Sequence, residues 1–220
     1  AAGFSDSPPL FFSGHASREG KGNEWFQLFQ IGFGGVPGRP VGDGPDGHSL
    51  WPGFTNVPNE FIESYFPLRI ERYETITDSG GAGLHRGGNG LSVAYRFLCD
   101  GDIGIHDDRW LTYPWGVLGG ETGLRSTKKL VRVDGSEEAL PAKVEGIKVK
   151  TGDVLYFNTW GGGGWGDPFA RDPELVRQDV ARRLVSIEGA KRYGVVLAAA
   201  CSYTHLTLPT NRTVYSWARL

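Results

Sequence analysis

Apolar residues gather along the chain in short runs of strand length as far as Asp172 and then recur at helical spacing. Runs rich in β-branched and aromatic residues mark Trp25 to Ile31, Leu68 to Ile76, Leu91 to Leu98, Lys129 to Val133, Val144 to Lys150 and Val154 to Trp160. A shorter run, Asp102 to Ile105, alternates as a strand would. Asp134-Gly135 and Thr151-Gly152-Asp153 fall between such runs and read as turns, where glycine takes positive φ without a Cβ clash. After Asp172, a good N-cap followed by Pro173, the residues Val176, Val180 and Leu184 recur at i, i+4 and i+8 and predict a helix. A second short helix is predicted from Ser186 to Tyr193, closed by Gly194, and another from Pro58 to Tyr65, stopped by Pro67. The expected fold is α+β and mainly β, a glycine-rich sheet or sandwich-like body with two short carboxy-terminal helices.

Composition changes that picture chiefly through glycine. Of 220 residues 34 are glycine, about twice the ~7% of ordinary domains, and 28 of them lie between Gly32 and Gly166, so the body is rich in loops. The formal charge of −2 leaves no basic field to capture nucleic acid or anionic lipid. Apolar stretches such as Val195 to Ala200 fall far short of the ~20 residues that span a bilayer. Cys99 and Cys201 give neither a disulfide framework nor a zinc spacing, which points to a reducing, cytoplasmic setting. The chain has no methionine and starts Ala1-Ala2-Gly3, and from Ala198 onward it has no acidic residue and no clear periodicity. The expectation is a fragment: an incomplete remnant over 1–24, a body over 25–197 and a non-native tail over 198–220.

Several motifs carry candidate chemistry. Gly161 to Gly166 satisfies G-x-G-x-x-G after a strand-like run, but Asp167-Pro168 follows where a dinucleotide site needs a helix, so a tight chain crossing is the better reading. Asp78-Ser79-Gly80-Gly81 resembles a serine-protease nucleophile, yet Thr77 and Ala82 stand where that motif has glycine and proline, and a turn is preferred. On a strand, His106 and Asp108 of His106-Asp107-Asp108-Arg109 share one face and could form a metal or acid/base pair, against the alternative of an Asp-Arg ion pair at a strand end. Asp43-Gly44-Pro45-Asp46-Gly47-His48 can approach a ligand or simply turn, and His85-Arg86 between glycines could bind an anion.

In chain order, Gly32-Phe33-Gly34-Gly35, Asp46-Gly47-His48, Thr55-Asn56, Tyr65 to Tyr73, Asp78 to Gly83 with Arg86-Gly87-Gly88, Pro114-Trp115-Gly116, Leu140 to Lys143, Gly161 to Pro168, Arg171 to Glu174 and Tyr193 to Val196 resemble the hydantoinase B/oxoprolinase family. That family includes the B-type component of N-methylhydantoinases, the second half of 5-oxoprolinase and the related component of acetone and acetophenone carboxylases. One departure is Gly53-Phe54, where the family often has His-Met.

The resemblance implies ATP-dependent ring opening of a cyclic amide (hydantoin, 5-oxoproline or a lactam), or carboxylation of a ketone, on a small-molecule substrate. It places ATP with Mg on a hydantoinase A-type partner, and thus a hetero-oligomer, and a divalent metal in an amino-terminal part outside this sequence. No cofactor or metal ligand is expected within this chain. The residues expected to touch chemistry are His48, His106, Asp107 and Asp108 as catalytic groups and Asp46, Asn56, Arg86 and Arg109 as substrate-binding groups. Here the arginines orient a carbonyl or phosphorylated intermediate, His106 with Asp108, or His48, moves a proton, and Asn56 donates to a developing oxyanion. The alternative is a structural, subunit-interaction module with no catalytic residues of its own, motivated by Trp51, Trp110, Trp115, Trp160 and Trp165 beside the glycine loops.

Overall fold

The strand-length runs pair into antiparallel sheets. The structure, a computed structural model, describes Gly3 and residues 8–18, 21–48, 57–200 and 203–207. In chain order its elements are β1 (Pro9–Arg18), β2 (Lys21–Ile31), α1 (Asn59–Tyr65), β3 (Leu68–Thr75), β4 (Leu91–Phe97), β5 (Gly101–His106), β6 (Thr127–Val131), β7 (Glu137–Ala139), β8 (Lys143–Val149), β9 (Val154–Asn158), α2 (Pro173–Ala181), β10 (Val196–Ala200) and β11 (Tyr203–Thr207). One sheet has the order β2-β1-β5-β8, a second β3-β4-β9-β6-β7, and β10 pairs with β11 alone.

The two larger sheets share one core. Leu10 and Phe12 of β1, Leu28 of β2 and Ile103 and Ile105 of β5 bury against Val93, Tyr95 and Phe97 of β4, Leu130 of β6 and Leu155 and Phe157 of β9. The Phe12 and Phe97 rings, one from each sheet, lie 4.8 Å apart between centroids. This is the mainly β, sandwich-like body that the sequence predicts, with burial of apolar side chains between the sheets as the driving force.

Differences from the sequence reading are local. Residues 9–18, where the sequence predicts no strand, form β1, which lies between β2 and β5 with Phe12 opposite Leu28 and Ile103. Pro8-Pro9 and the polar Ser13 to Ser17 stretch mask the alternating Leu10 and Phe12 there. Strand β7 was not foreseen, because Glu137–Ala139 is exposed throughout and carries no apolar face. The backbone of Tyr203–Thr207, in the stretch without clear periodicity, pairs antiparallel with Val196–Ala200.

Asp172 caps α2 as expected, its carboxylate accepting from the Glu174 N–H at 2.9 Å, but the helix ends at Ala181 and Leu184 lies beyond it. The second helix is a short 3-10 turn, Gly189–Tyr193, closed by Gly194 in the left-handed region at φ 70°. Val176, Val185, Ala190, Tyr193, Val195 and Ala82 form a second, smaller core that seats these helices. Among the described residues no helix is long and apolar enough to cross a membrane.

Candidate functional site

Between the two cores the chain abandons sheet pairing. The extended segment 160–166 runs among segments 34–47, 79–90 and 114–124, and its residues bond to different neighbours in turn. Gly35 donates to the Trp160 carbonyl and Gly38 to that of Gly163, both at 2.8 Å, while Gly81 donates to Gly162 at 2.8 Å. Outward, Gly161 donates to Leu124 at 3.0 Å, Gly162 to Gly88 at 2.8 Å and Gly164 to Glu121 at 2.9 Å.

Backbones this close leave no room for side chains: a Cβ on Gly35, Gly87, Gly161 or Gly163 would overlap the carbonyl oxygen of Gly88, Gly162, Ser79 or Trp115. None of these four has positive φ, so close approach and not left-handed backbone requires glycine there. The chain crossing read from Gly161 to Gly166 is therefore present. The N–H groups of Gly161, Gly162, Gly164, Trp165 and Gly166 all donate to main-chain carbonyls, so they do not form a phosphate cradle. Ser79 is fully buried, and its hydroxyl donates to the Ile76 carbonyl at 2.6 Å and accepts from the Gly90 N–H at 2.9 Å, which matches the turn reading.

Beside this glycine bundle lies a charge network whose arginines are buried and whose Asp43 and Asp46 are partly buried. Arg171 forks onto Asp43, with Nη1 and Nη2 each 2.7 Å from a carboxylate oxygen, and Nη2 also reaches Asp179 at 2.8 Å. The Arg86 guanidinium donates from Nη1 to Asp46 and to the Gly87 carbonyl, each at 2.8 Å, and its Nε lies 3.8 Å from Asp179. Asp46 also accepts from the Asn89 N–H at 2.7 Å. Burial pushes the Asp43 carboxyl up, but the Arg171 and Arg86 contacts outweigh it and hold Asp43 below the usual carboxylate range. Burial likewise pulls Arg86 down and Asp46 more than restores it, so the guanidinium stays charged.

A second centre sits where β5 leaves the sheet. Asp107 and Lys128, both fully buried, form an ion pair, and Lys128 Nζ donates on to the Asn158 carbonyl at 2.9 Å and lies 4.1 Å from the centre of the Phe157 ring. Burial pushes Lys128 down to about 8, with Asp107 only partly offsetting it, and burial pushes Asp107 up.

The residues singled out from the sequence thus take distinct positions. Asp46 and Arg86 are brought together in the first network. Asp107 faces Lys128, while His106 on the opposite face of the strand end is exposed, with Nε2 2.9 Å from Glu145 Oε1. Asp108 is exposed and lies 3.8 Å from Lys143 Nζ. Arg109, at φ 53°, places its guanidinium 4.7 Å over the Trp115 ring. The His48 side chain is exposed while its N–H donates to the Gly34 carbonyl at 3.0 Å. Asn56 and Trp51 lie outside the described residues.

Lys128 and Asp179 were not singled out from the sequence. The signal for Lys128 was its place on the same strand face as buried Leu130, a face where a lysine needs a buried partner. Among the described residues no group of three or more His, Cys, Asp or Glu side chains could hold a metal ion.

Residues 1–168 match the Hydantoinase B/oxoprolinase family, and the chain belongs to it. A Pseudomonas sp. protein named for the B-type component of a D-/L-hydantoinase is 31% identical over 201 residues, 90% of this chain and 33% of that protein. The crystal structure of ATP-dependent caprolactamase from Pseudomonas jessenii superposes with a TM-score of 0.71 at 27% identity, covering 86% of this chain and 34% of that one. A nucleotide-free acetone carboxylase shares the fold with a TM-score of 0.73 at 18% identity, over 93% of this chain and 31% of that one. The chain spans between 24% and 33% of the length of the first curated relatives it matches.

Proposed function

We propose that this chain is part of the B-type component of an ATP-dependent, cytoplasmic enzyme that opens cyclic amides such as hydantoins, 5-oxoproline or lactams together with an A-type partner. The observation that carries the reading is the 27% identity to ATP-dependent caprolactamase over 86% of the chain at a TM-score of 0.71. The chemistry has a clear need for ATP, since an unstrained lactam carbonyl is a poor electrophile and phosphorylation of its oxygen creates a leaving group.

The family reading assigns the nucleotide to the A-type partner. Within this chain, His48, His106 and Asp108 keep exposed side chains able to move protons. Arg109 is the group that orients substrate, Arg86 and Asp107 hold their loops through buried ion pairs, and Asn56 remains the proposed oxyanion donor.

The test uses the full-length B-type polypeptide co-expressed with its A-type partner, supplied with 5-oxoproline, hydantoin or caprolactam and ATP. Ring-opened product that requires ATP and both polypeptides supports the reading, as does a lower kcat in His106→Ala or His48→Ala at an unchanged thermal midpoint. Product that instead requires bicarbonate and a ketone places the enzyme among the carboxylases. Wild-type kinetics in all of the His48, His106 and Asp108 variants assigns this chain a structural, partner-binding role.

A further inference from the structure

The edges of the two larger sheets differ in how they are guarded. An unpaired strand edge is a template for pairing with another chain, and natural sequences blunt it with charge, bulges or brevity. Edge strand β7 is only three residues long, two of them glutamate. Edge strand β3 carries Arg69, Glu71, Arg72 and Glu74, with a register shift between Ile70 and Arg72. Edge strand β8 carries Lys143, Glu145 and Lys148, with Gly146 at φ 71° beside a register shift in its pairing with β5.

Edge strand β2 lacks these devices. Over residues 23–31 it pairs with β1 without a break, has Glu24 as its one charged residue, and contains no proline or glycine. Its outward side chains are aromatic. Trp25 is 61% and Phe29 53% exposed, and Phe29 meets Phe11 of β1 at 5.1 Å between ring centres. Among the described residues no strand pairs with the far side of β2. An aromatic, weakly charged edge of this length is an aggregation hazard when open, so it calls for a permanent partner.

A tethered partner meets that need best. The matched stretches make up 24% and 33% of two curated relatives, so most of each relative's polypeptide lies outside them. A strand of the same polypeptide meets β2 at an effective concentration on the order of mM, without the entropy loss of joining separate molecules. A second copy or an A-type partner would instead leave the edge open until the complex formed.

We propose that β2 is an inner strand of the full-length polypeptide, where a segment outside these 220 residues pairs along residues 23–31 and covers Trp25 and Phe29. Phe11 lies between Phe29 and His106, so the covered face borders the His106–Glu145 pair. The proposal rests on the chain being part of a longer family polypeptide and not on the reaction that polypeptide performs.

The experiment uses the full-length B-type polypeptide alone and dilute, with its mass in solution read by native mass spectrometry. Hydrogen exchange at residue resolution compares the β2 amides with those of β1, which is paired on both sides. An open edge leaves every second β2 amide unpaired and exchanging about a hundredfold or more faster than β1, whereas the proposal expects all of them within about tenfold of β1. The variant Trp25→p-benzoylphenylalanine then identifies the cover on irradiation, with a crosslink expected inside one polypeptide to a peptide beyond these 220 residues. Fast alternate amides overturn the proposal. So does protection that requires a second copy or the A-type partner, and so does a crosslink that falls within these 220 residues. If the variant does not fold or gives no crosslink, exchange in the wild-type monomer decides. None of these outcomes bears on ATP-dependent ring opening, which turnover tests separately.

Discussion

The sandwich and the glycine bundle are both ordered and both buried, yet opposite features of the sequence build them. In the sandwich, large side chains such as Phe12, Phe97 and Phe157 fill the space between sheets, and order comes from apolar area removed from water. In the bundle the closest contacts are made by glycines, which have no side chain to remove. Order comes from main-chain hydrogen bonds in several directions between segments whose only common requirement is the absence of a Cβ. The first region should therefore suffer from atoms taken away and the second from atoms added.

The sharpest break of that contrast is Gly35→Ala, whose new methyl would overlap the Gly88 carbonyl oxygen. Main chain lacks a second rotamer, so the loss should exceed ~5 kcal/mol, above the ~1–3 kcal/mol of overpacked side-chain cores. Urea unfolding and soluble yield report it. The matched control is Gly104→Ala on β5, where a Cβ finds its nearest neighbour, Cγ of the Glu145 side chain, at 3.4 Å, and which should change stability by less than ~1 kcal/mol. Equal effects at the two positions would remove the distinction between the regions.

Next comes the sandwich itself. Phe12→Ala, at a fully buried ring in contact with Phe97, should cost ~3–5 kcal/mol through lost transfer energy and a residual cavity, read from the denaturant midpoint at constant m-value.

How much of each region was legible follows from the same contrast. Strands β2, β3, β4, β5, β6, β8 and β9 fall on runs visible as β-branched and aromatic clusters, because side chains build that region and a sequence lists side chains. The bundle was legible only as a crossing at Gly161 to Gly166, since its partners 34–47, 79–90 and 114–124 are linked by backbone bonds that leave no residue-type signature beyond glycine.

The charged centres were read in part for a related reason. Asp46 and Arg86 were both named, but their pairing spans 40 positions and no local spacing announces it. Asp107 was grouped with its chain neighbours His106 and Asp108, whereas the pleat sends it inward to Lys128 and the others outward.

The Asp107–Lys128 pair joins the two regions, tying the start of the 107–126 segment to β6, and it yields the third test. Lys128→Met leaves the Asp107 carboxylate buried without its cation and should cost ~3 kcal/mol or more, while adding Asp107→Leu should restore most of it, as hydrophobic replacement of a whole buried pair usually does. A folded double variant that retains turnover with the A-type partner would give Asp107 a structural role. A folded double variant without turnover would return it to the chemistry.

The smallest effect is a pH dependence with a definite sign. Burial lowers Lys128 from 10.5 in the free side chain to about 8 in the folded chain, so between those values the unfolded state holds more protons than the native one. Stability carried by this group should then rise as pH climbs from about 8 towards 10.5, against whatever the exposed tyrosines and lysines contribute. Unfolding free energies of wild type and of the Lys128→Met, Asp107→Leu double variant, measured at intervals across that window, isolate the difference. The gap between the two should tilt in favour of wild type as pH rises. A gap that stays constant would mean that Lys128 keeps its proton in the native chain and that the pair remains ionised beneath the Phe157 ring.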